Sequence, residues 1–175
     1  MKIIACLGNP GGKYRLTRHN VGFLFGEYLA SEYGIQTSKK GFSALYGAGK
    51  VGTHDILILF PQTFMNLSGQ AVQGALGFYR EDAKSLIVVH DEIELPFGDI
   101  RKKSGGGHKG HNGLRSIIQC AGSAEFERLR IGVGRPADGT VGVADYVLGN
   151  FTSEEQSAFP SMFARAKAEL EGILG

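Results

Sequence analysis

Four short apolar runs rich in β-branched residues constrain the fold of this chain more than any other feature. They lie at 2–7, 56–60, 86–89 and 129–133 and include Ile56-Leu57-Ile58-Leu59-Phe60 and Leu86-Ile87-Val88-Val89. They are short and, Arg130 in the last run apart, not alternating with polar residues, the pattern of strands covered on both faces in a parallel sheet. Residues 42–51 and 97–103 read as more exposed strands. Helical spacing fills the intervals. Val21, Leu24, Phe25, Tyr28 and Leu29 share one face of 20–33, and Ala71, Val72, Ala75, Leu76 and Tyr79 share one face of 68–80. A third helix is expected to begin near Asn112 with Leu114, Ile117 and Ile118 inward, and a fourth to cover 153–173. Strands alternating with helices predict the α/β class. The expected architecture is a single three-layer domain, residues 1–175, whose central twisted, mostly parallel (mixed) β-sheet is flanked by helices.

A chain of 175 residues buries roughly 70% of its unfolded surface and needs no metal or disulfide staple. Cys6 and Cys120 lie far apart in apolar runs, as expected of core thiols in a reducing compartment. No run of 18 apolar residues predicts a membrane span. The opening run ends too soon, at Asn9-Pro10-Gly11, for a secretion signal, so a cytoplasmic location is expected. Net charge is only +2. Residues 96–115, however, set Arg101, Lys102, Lys103, Lys109 and Arg115 against Asp99 alone. Such a patch suits a polyanion such as RNA. It equally suits a solvated, lysine-rich edge strand, and charge alone favours the latter.

Function in such sheets collects in loops at the carboxyl ends of strands. Here those loops are Gly8-Asn9-Pro10-Gly11, Pro61-Gln62-Thr63-Phe64-Met65-Asn66 and His90-Asp91-Glu92, and they are expected to converge. His19 precedes the first helix and Asp91 ends a core strand. A histidine oriented by a carboxylate through one ring nitrogen can take a proton with the other. Capping a helix and a turn would account for the same two residues. Asn9, Asn66 and Asn112 stand at junctions where asparagine ordinarily caps or turns. Gathered around one pocket, their neutral amides would suit a peptide backbone or an oxyanion. Gly105-Gly106-Gly107-His108-Lys109-Gly110 has the spacing of a dinucleotide fingerprint, but it follows Arg101-Lys102-Lys103-Ser104 instead of an apolar strand. A phosphate remains compatible with such a turn. His108 and His111, three apart with no cysteine or carboxylate nearby, make a poor metal site. No metal is expected.

Together these segments resemble the bacterial-type peptidyl-tRNA hydrolase family. The resemblance rests on five motifs in order. They are Leu7-Gly8-Asn9-Pro10-Gly11 with Tyr14 and Thr17-Arg18-His19-Asn20-Val21-Gly22; Phe64-Met65-Asn66-Leu67-Ser68-Gly69; His90-Asp91-Glu92-Ile93-Glu94-Leu95-Pro96; Gly105 to Leu114 with Ser116; and Phe126 to Pro136. The resemblance implies an enzyme that hydrolyses the ester between a peptide and the 3′ end of tRNA, with no cofactor and no covalent intermediate. It implies His19 as general base and Asp91 as its orienting carboxylate. Asn9, Tyr14, Met65, Asn66, His111 and Asn112 would bind or line the peptide region. Arg101, Lys102, Lys103 and Arg130 would meet the tRNA acceptor arm. The family usually carries lysine where this chain has Arg101. A monomer without an obligate protein partner or membrane attachment is expected. The alternative from another class is a non-catalytic RNA-binding module, which gives no reason for a His19/Asp91 pair.

Overall fold

The computed structural model describes residues 1–137 and 139–175. Seven strands form one sheet: β1 (Lys2–Cys6), β2 (Lys39–Gly41), β3 (Ala44–Val51), β4 (His54–Pro61), β5 (Leu86–Glu92), β6 (Ile100–Ser104) and β7 (Glu127–Gly132). Their spatial order is β2-β3-β4-β1-β5-β7-β6. The inner four, β4-β1-β5-β7, run parallel. The flanking strands β2, β3 and β6 pair antiparallel, so the mixed sheet and its three layers are as expected.

The apolar runs explain the layering. Along β1, Ile4 and Cys6 point to one face, while Ile3, Ala5 and Leu7 point to the other. The first face is covered by α1 (Val21–Tyr33) and α6 (Phe159–Leu174), the second by α2 (Ser68–Tyr79) and α3 (Asn112–Ala121). Period-two backbone geometry thus turns a uniformly apolar run into two cores. The segment expected as one helix over 153–173 is instead α5 (Ser153–Ser157) followed by α6. Pro160 sits in the first turn of α6, where it is tolerated, whereas inside a continuous helix it would cost a backbone bond and clash. The short α4 (Val143–Val147) was not anticipated, since five residues leave no legible periodicity.

One crossover matters for function. From β1 the chain leaves toward β4, and from β5 it leaves toward β7. The connections diverge between β1 and β5, which opens a crevice at the carboxyl ends of those two strands. The start of α1 is clamped there: Phe23 N–H donates to the Leu7 carbonyl at 3.2 Å. Gly22 permits that approach, because a Cβ on it would lie 2.5 Å from the Leu7 carbonyl oxygen and 2.7 Å from that of Val89. Gly22→Ala should therefore lower unfolding free energy by about 1–3 kcal/mol in urea titrations. Gly77→Ala, on exposed helix surface with nothing within 4 Å of the new Cβ, should instead gain about 0.5–1 kcal/mol.

Candidate active site

The crevice holds His19 and Asp91. His19 sits in a single 3-10 turn, Arg18–Asn20, before α1. Its neighbours fix that turn from both sides. The buried Asn20 side chain accepts from Asn9 N–H and donates to the Asn9 carbonyl, both at 2.9 Å. Arg18 donates to the Tyr146 carbonyl at 3.3 Å and to Glu155 at 3.2 Å, with its guanidinium 4.3 Å from the Tyr146 ring centre. Asp91 lies in β5 at the carboxyl end of a core strand. Strand end and turn meet: His19 Nδ1 lies 2.8 Å from Asp91 Oδ2. The carboxylate side chain is 2% exposed and the imidazole 12%.

The other carboxylate oxygen is also taken. His111 Nε2 lies 2.8 Å from Asp91 Oδ1. His111 is the N-cap of α3, its Nδ1 accepting from the backbone N–H of Gly113 (3.1 Å) and Leu114 (3.3 Å). An Nδ1 that accepts carries no hydrogen, so Nε2 carries one and donates to Asp91. The capping role open to Asn112 thus falls to His111, and Asn112 becomes the first helical residue, exposed at the cleft. Three possible ligand atoms of His19, Asp91 and His111 lie within 4.8 Å of one another, the one such group among the described residues. They are spent on hydrogen bonds to each other, and an Nε2–H offers a cation no lone pair.

Burial alone would push the Asp91 carboxyl up. The positive potential and hydrogen bonds of His19 and His111 more than reverse this and hold it well below the usual carboxylate range. For His19, burial pulls the imidazole down, but the Asp91 charge and hydrogen bond outweigh it, leaving its pKa above the ordinary 6.5. Behind them lies His90, almost fully buried, its ring 5.1 Å from that of His111. Its Nδ1 donates to the Asp91 carbonyl at 2.8 Å, while its buried Nε2 has no partner among the described residues. Burial first, then the neighbouring His111, pulls His90 down to about 3.

The cleft over these residues has a volume of about 680 Å³ and includes Asn9, Met65, Asn66, Asn112, Lys103 and Arg130 in its walls. The convergence of three loops is thus observed. Asn9 Oδ1 accepts from Met65 N–H at 2.7 Å, tying the β1 and β4 loops together and leaving its NH₂ as the remaining polar group. Asn66 is exposed in the turn Met65–Leu67. Tyr14 stands outside the walls and reaches the cleft only through its edge-on contact with Phe64, ring centres 6.2 Å apart.

The basic residues divide by strand face. Arg101 pairs with Arg130 and Lys103 with Arg128 across β6 and β7, and directly opposed residues share a face. Lys102 pairs with Leu129, a residue of the α1/α6 core, and its Nζ lies near Gly172 of α6. The expected grouping of Lys102 with Arg101, Lys103 and Arg130 is therefore corrected: alternation along β6 turns it away. Arg130 stands 3.8 Å from Glu92. Arg101 is exposed beside Asp99 and lies outside the cleft walls. Partial burial, then the charges of Lys109, Arg128 and Arg130, lowers the Lys103 ammonium.

Sequence reasoning missed Arg128 and Asn20 as individual residues, although both lay inside quoted motifs. Arg128 is buried and donates to the carbonyls of Gly106 and Gly107, so the glycine turn is held through its carbonyls. A charged residue in a strand at an interior position was the available signal.

Comparison with known proteins agrees with this geometry. The family model described as peptidyl-tRNA hydrolase matches residues 3–175. The chain is 50% identical over 161 residues to a peptidyl-tRNA hydrolase of Geobacter metallireducens, covering 92% of this chain and 82% of that one. It is 45% identical over 174 residues to one of Bdellovibrio bacteriovorus, covering 99% and 93%. The crystal structure of peptidyl-tRNA hydrolase from Acinetobacter baumannii superposes with a TM-score of 0.88 at 40% identity, covering 99% of this chain and 90% of that one.

The three ionisable groups give distinct pH signatures in stability. His90, low in the folded state, contributes stability present above 6.5 and lost as pH falls from there toward 3, at up to about 1.4 kcal/mol per pH unit. His19, raised, has the opposite sign: its contribution is full below 6.5 and lost as pH rises through its folded value. Asp91, lowered, gives way only in acid below the usual carboxylate range. Urea titrations between pH 6 and 4.5 should show His90→Asn shallower than the parent by about 1 kcal/mol per unit. Parallel curves would mean that His90 titrates normally in the fold.

Proposed function

The chain belongs to the peptidyl-tRNA hydrolase family, and from that premise we propose how its residues hydrolyse the ester between peptide and tRNA. The activity is ester hydrolysis of peptidyl-tRNA. The observation that carries the reading is the His19 imidazole, bonded through Nδ1 to buried Asp91, with its ring lining the cleft. A binding module without chemistry has no use for such a pair.

In the proposed reaction, His19 Nε2 takes a proton from water as its oxygen attacks the ester carbonyl. Asp91 keeps the ring in the tautomer with its lone pair on Nε2 and stabilises the imidazolium that forms. The carbonyl electrons move onto oxygen, which an amide of Asn66 or Asn112 meets as donor. Collapse expels the tRNA 3′ oxygen, which takes the proton back from His19. The products are a free peptide and tRNA, with no covalent intermediate and no cofactor. His111 acts as a positioning residue on Asp91. Asn9 and Met65 shape the peptide side, and Tyr14 supports it through Phe64.

Lys103 and Arg130 meet phosphates of the acceptor arm, with Arg101 farther out. Phosphate contacts give affinity without reading bases, which suits an enzyme serving many tRNAs. We place the protein in the cytoplasm, where its substrate arises, acting as a monomer without an obligate protein partner. No helix among the described residues is long and apolar enough to cross a membrane.

His19→Ala should keep the fold and tRNA affinity while lowering kcat by about 10²–10⁴-fold; near-normal turnover would remove His19 from this role. In the parent, kcat/KM should rise with pH as His19 neutralises, with a midpoint above 6.5. Asp91→Asn should move that limb to lower pH, since the charge that raises His19 is gone, and an unmoved limb would assign it to another group. Lys103→Ala with Arg130→Ala should weaken tRNA binding and make the slope of log K on log salt shallower by roughly 1–2. An unchanged slope excludes both from phosphate contact.

A further inference from the structure

A second cleft of about 330 Å³ opens on the far side of Asn9. It lies between the loop after β1, the first turns of α1 and the β3–β4 side of the sheet, and Asn9 is the one residue it shares with the first cleft. Phe23, Leu45 and Phe60 provide its apolar lining, with the two phenylalanine rings edge-on at 5.8 Å. Its charged residues are Arg15 and Glu27, joined to each other at 3.2 Å across an exposed rim. It therefore offers no net charge.

We propose that this second cleft receives the peptide residues remote from the ester, and favours apolar side chains there. The inference rests on His19 as the reaction centre. Sheet order then sets a direction. Lys103 and Arg130 lie on β6 and β7, to one side of the crevice between β5 and β1. Once the tRNA occupies the basic side, the peptide leaves the ester on the other, past Asn9, toward β4 and β3. A neutral, apolar-lined cleft repays an uncharged chain and offers a polyanion nothing. Asn9 is the fixed partition, its side chain bonded to Met65 N–H and its backbone bonded both ways to Asn20. Contacts remote from the reacting bond raise kcat when their energy is used to orient it.

The test compares one tRNA carrying either a single N-acetylated residue or an apolar peptide of about six residues, which spans about 20 Å extended. Gly12 lines the second cleft, has nothing within 4 Å of a new Cβ and has no left-handed backbone, so Gly12→Phe adds a bulky ring at the cleft's rim without strain. The parent should cleave the long substrate faster. Gly12→Phe should lower kcat/KM for the long substrate about tenfold, the order lost when apolar contacts go, and leave the short one unchanged. As a second variant, Leu45→Lys should shift preference toward peptides with an acidic residue at the remote position. The proposal is overturned if the parent treats both substrates alike, if Gly12→Phe lowers both equally, or if it lowers neither. Failure of the underlying reading appears separately, as full activity of His19→Ala on both substrates.

Discussion

One carboxylate, shared between two imidazoles, organises the centre of this molecule. Asp91 is buried with each oxygen bonded to a different histidine, and those bonds keep it ionised where burial alone would protonate it. The hydrogens converge on Asp91 from both sides. Backbone amides opening α3 point at His111 Nδ1, His111 Nε2 donates to Asp91, and Asp91 accepts from His19 Nδ1. The free lone pair of the imidazole emerges in the cleft. The amides of a helix terminus thus orient one donor to Asp91, and the carboxylate, which can only accept, holds the hydrogen of His19 on Nδ1 and leaves Nε2 basic.

The sheet distributes different chemistry along its width. The β6–β7 edge carries guanidinium and ammonium groups on the α3 face, the centre has titratable rings at its carboxyl end, and the β4–β3 side carries apolar side chains beside the Arg15–Glu27 ion pair of the β1 loop and α1. The alternation that buries Leu129 and Ile131 also puts Arg128 and Arg130 together on the other side. Arg128 spends its charge inward, on glycine carbonyls, which leaves Lys103 and Arg130 facing the cleft.

Much of the fold was legible because apolar runs and helical spacing are local signals. The core strands and α1, α2 and α3 need only their own residues to be read. The break between α5 and α6 was signalled by Pro160 yet read through, since the surrounding spacing stayed helical. In the site, Asp91 was visible at a strand end, His19 before a helix and the asparagines at loop junctions. Their separation was not, because residues 19 and 91 touch only through the order of β1 and β5 in the sheet. The link between His111 and Asp91 was hidden for the same reason, and the motif alone gave His111 only a lining role. The misgrouping of Lys102 came from reading a basic run as a patch without counting strand faces.

The meeting of residues 19 and 91 also bears on the chain's own synthesis. While it is being made, any such chain is itself joined to tRNA by the bond that the finished molecule severs. β1 acquires β5 as a neighbour only after β4 and α2 have been made, and the donor to the second Asp91 oxygen arrives twenty residues later still, with α3. A base assembled from such distant segments does not exist on a nascent fragment that stops short of Asp91, so topology keeps such a fragment from releasing itself through this pair.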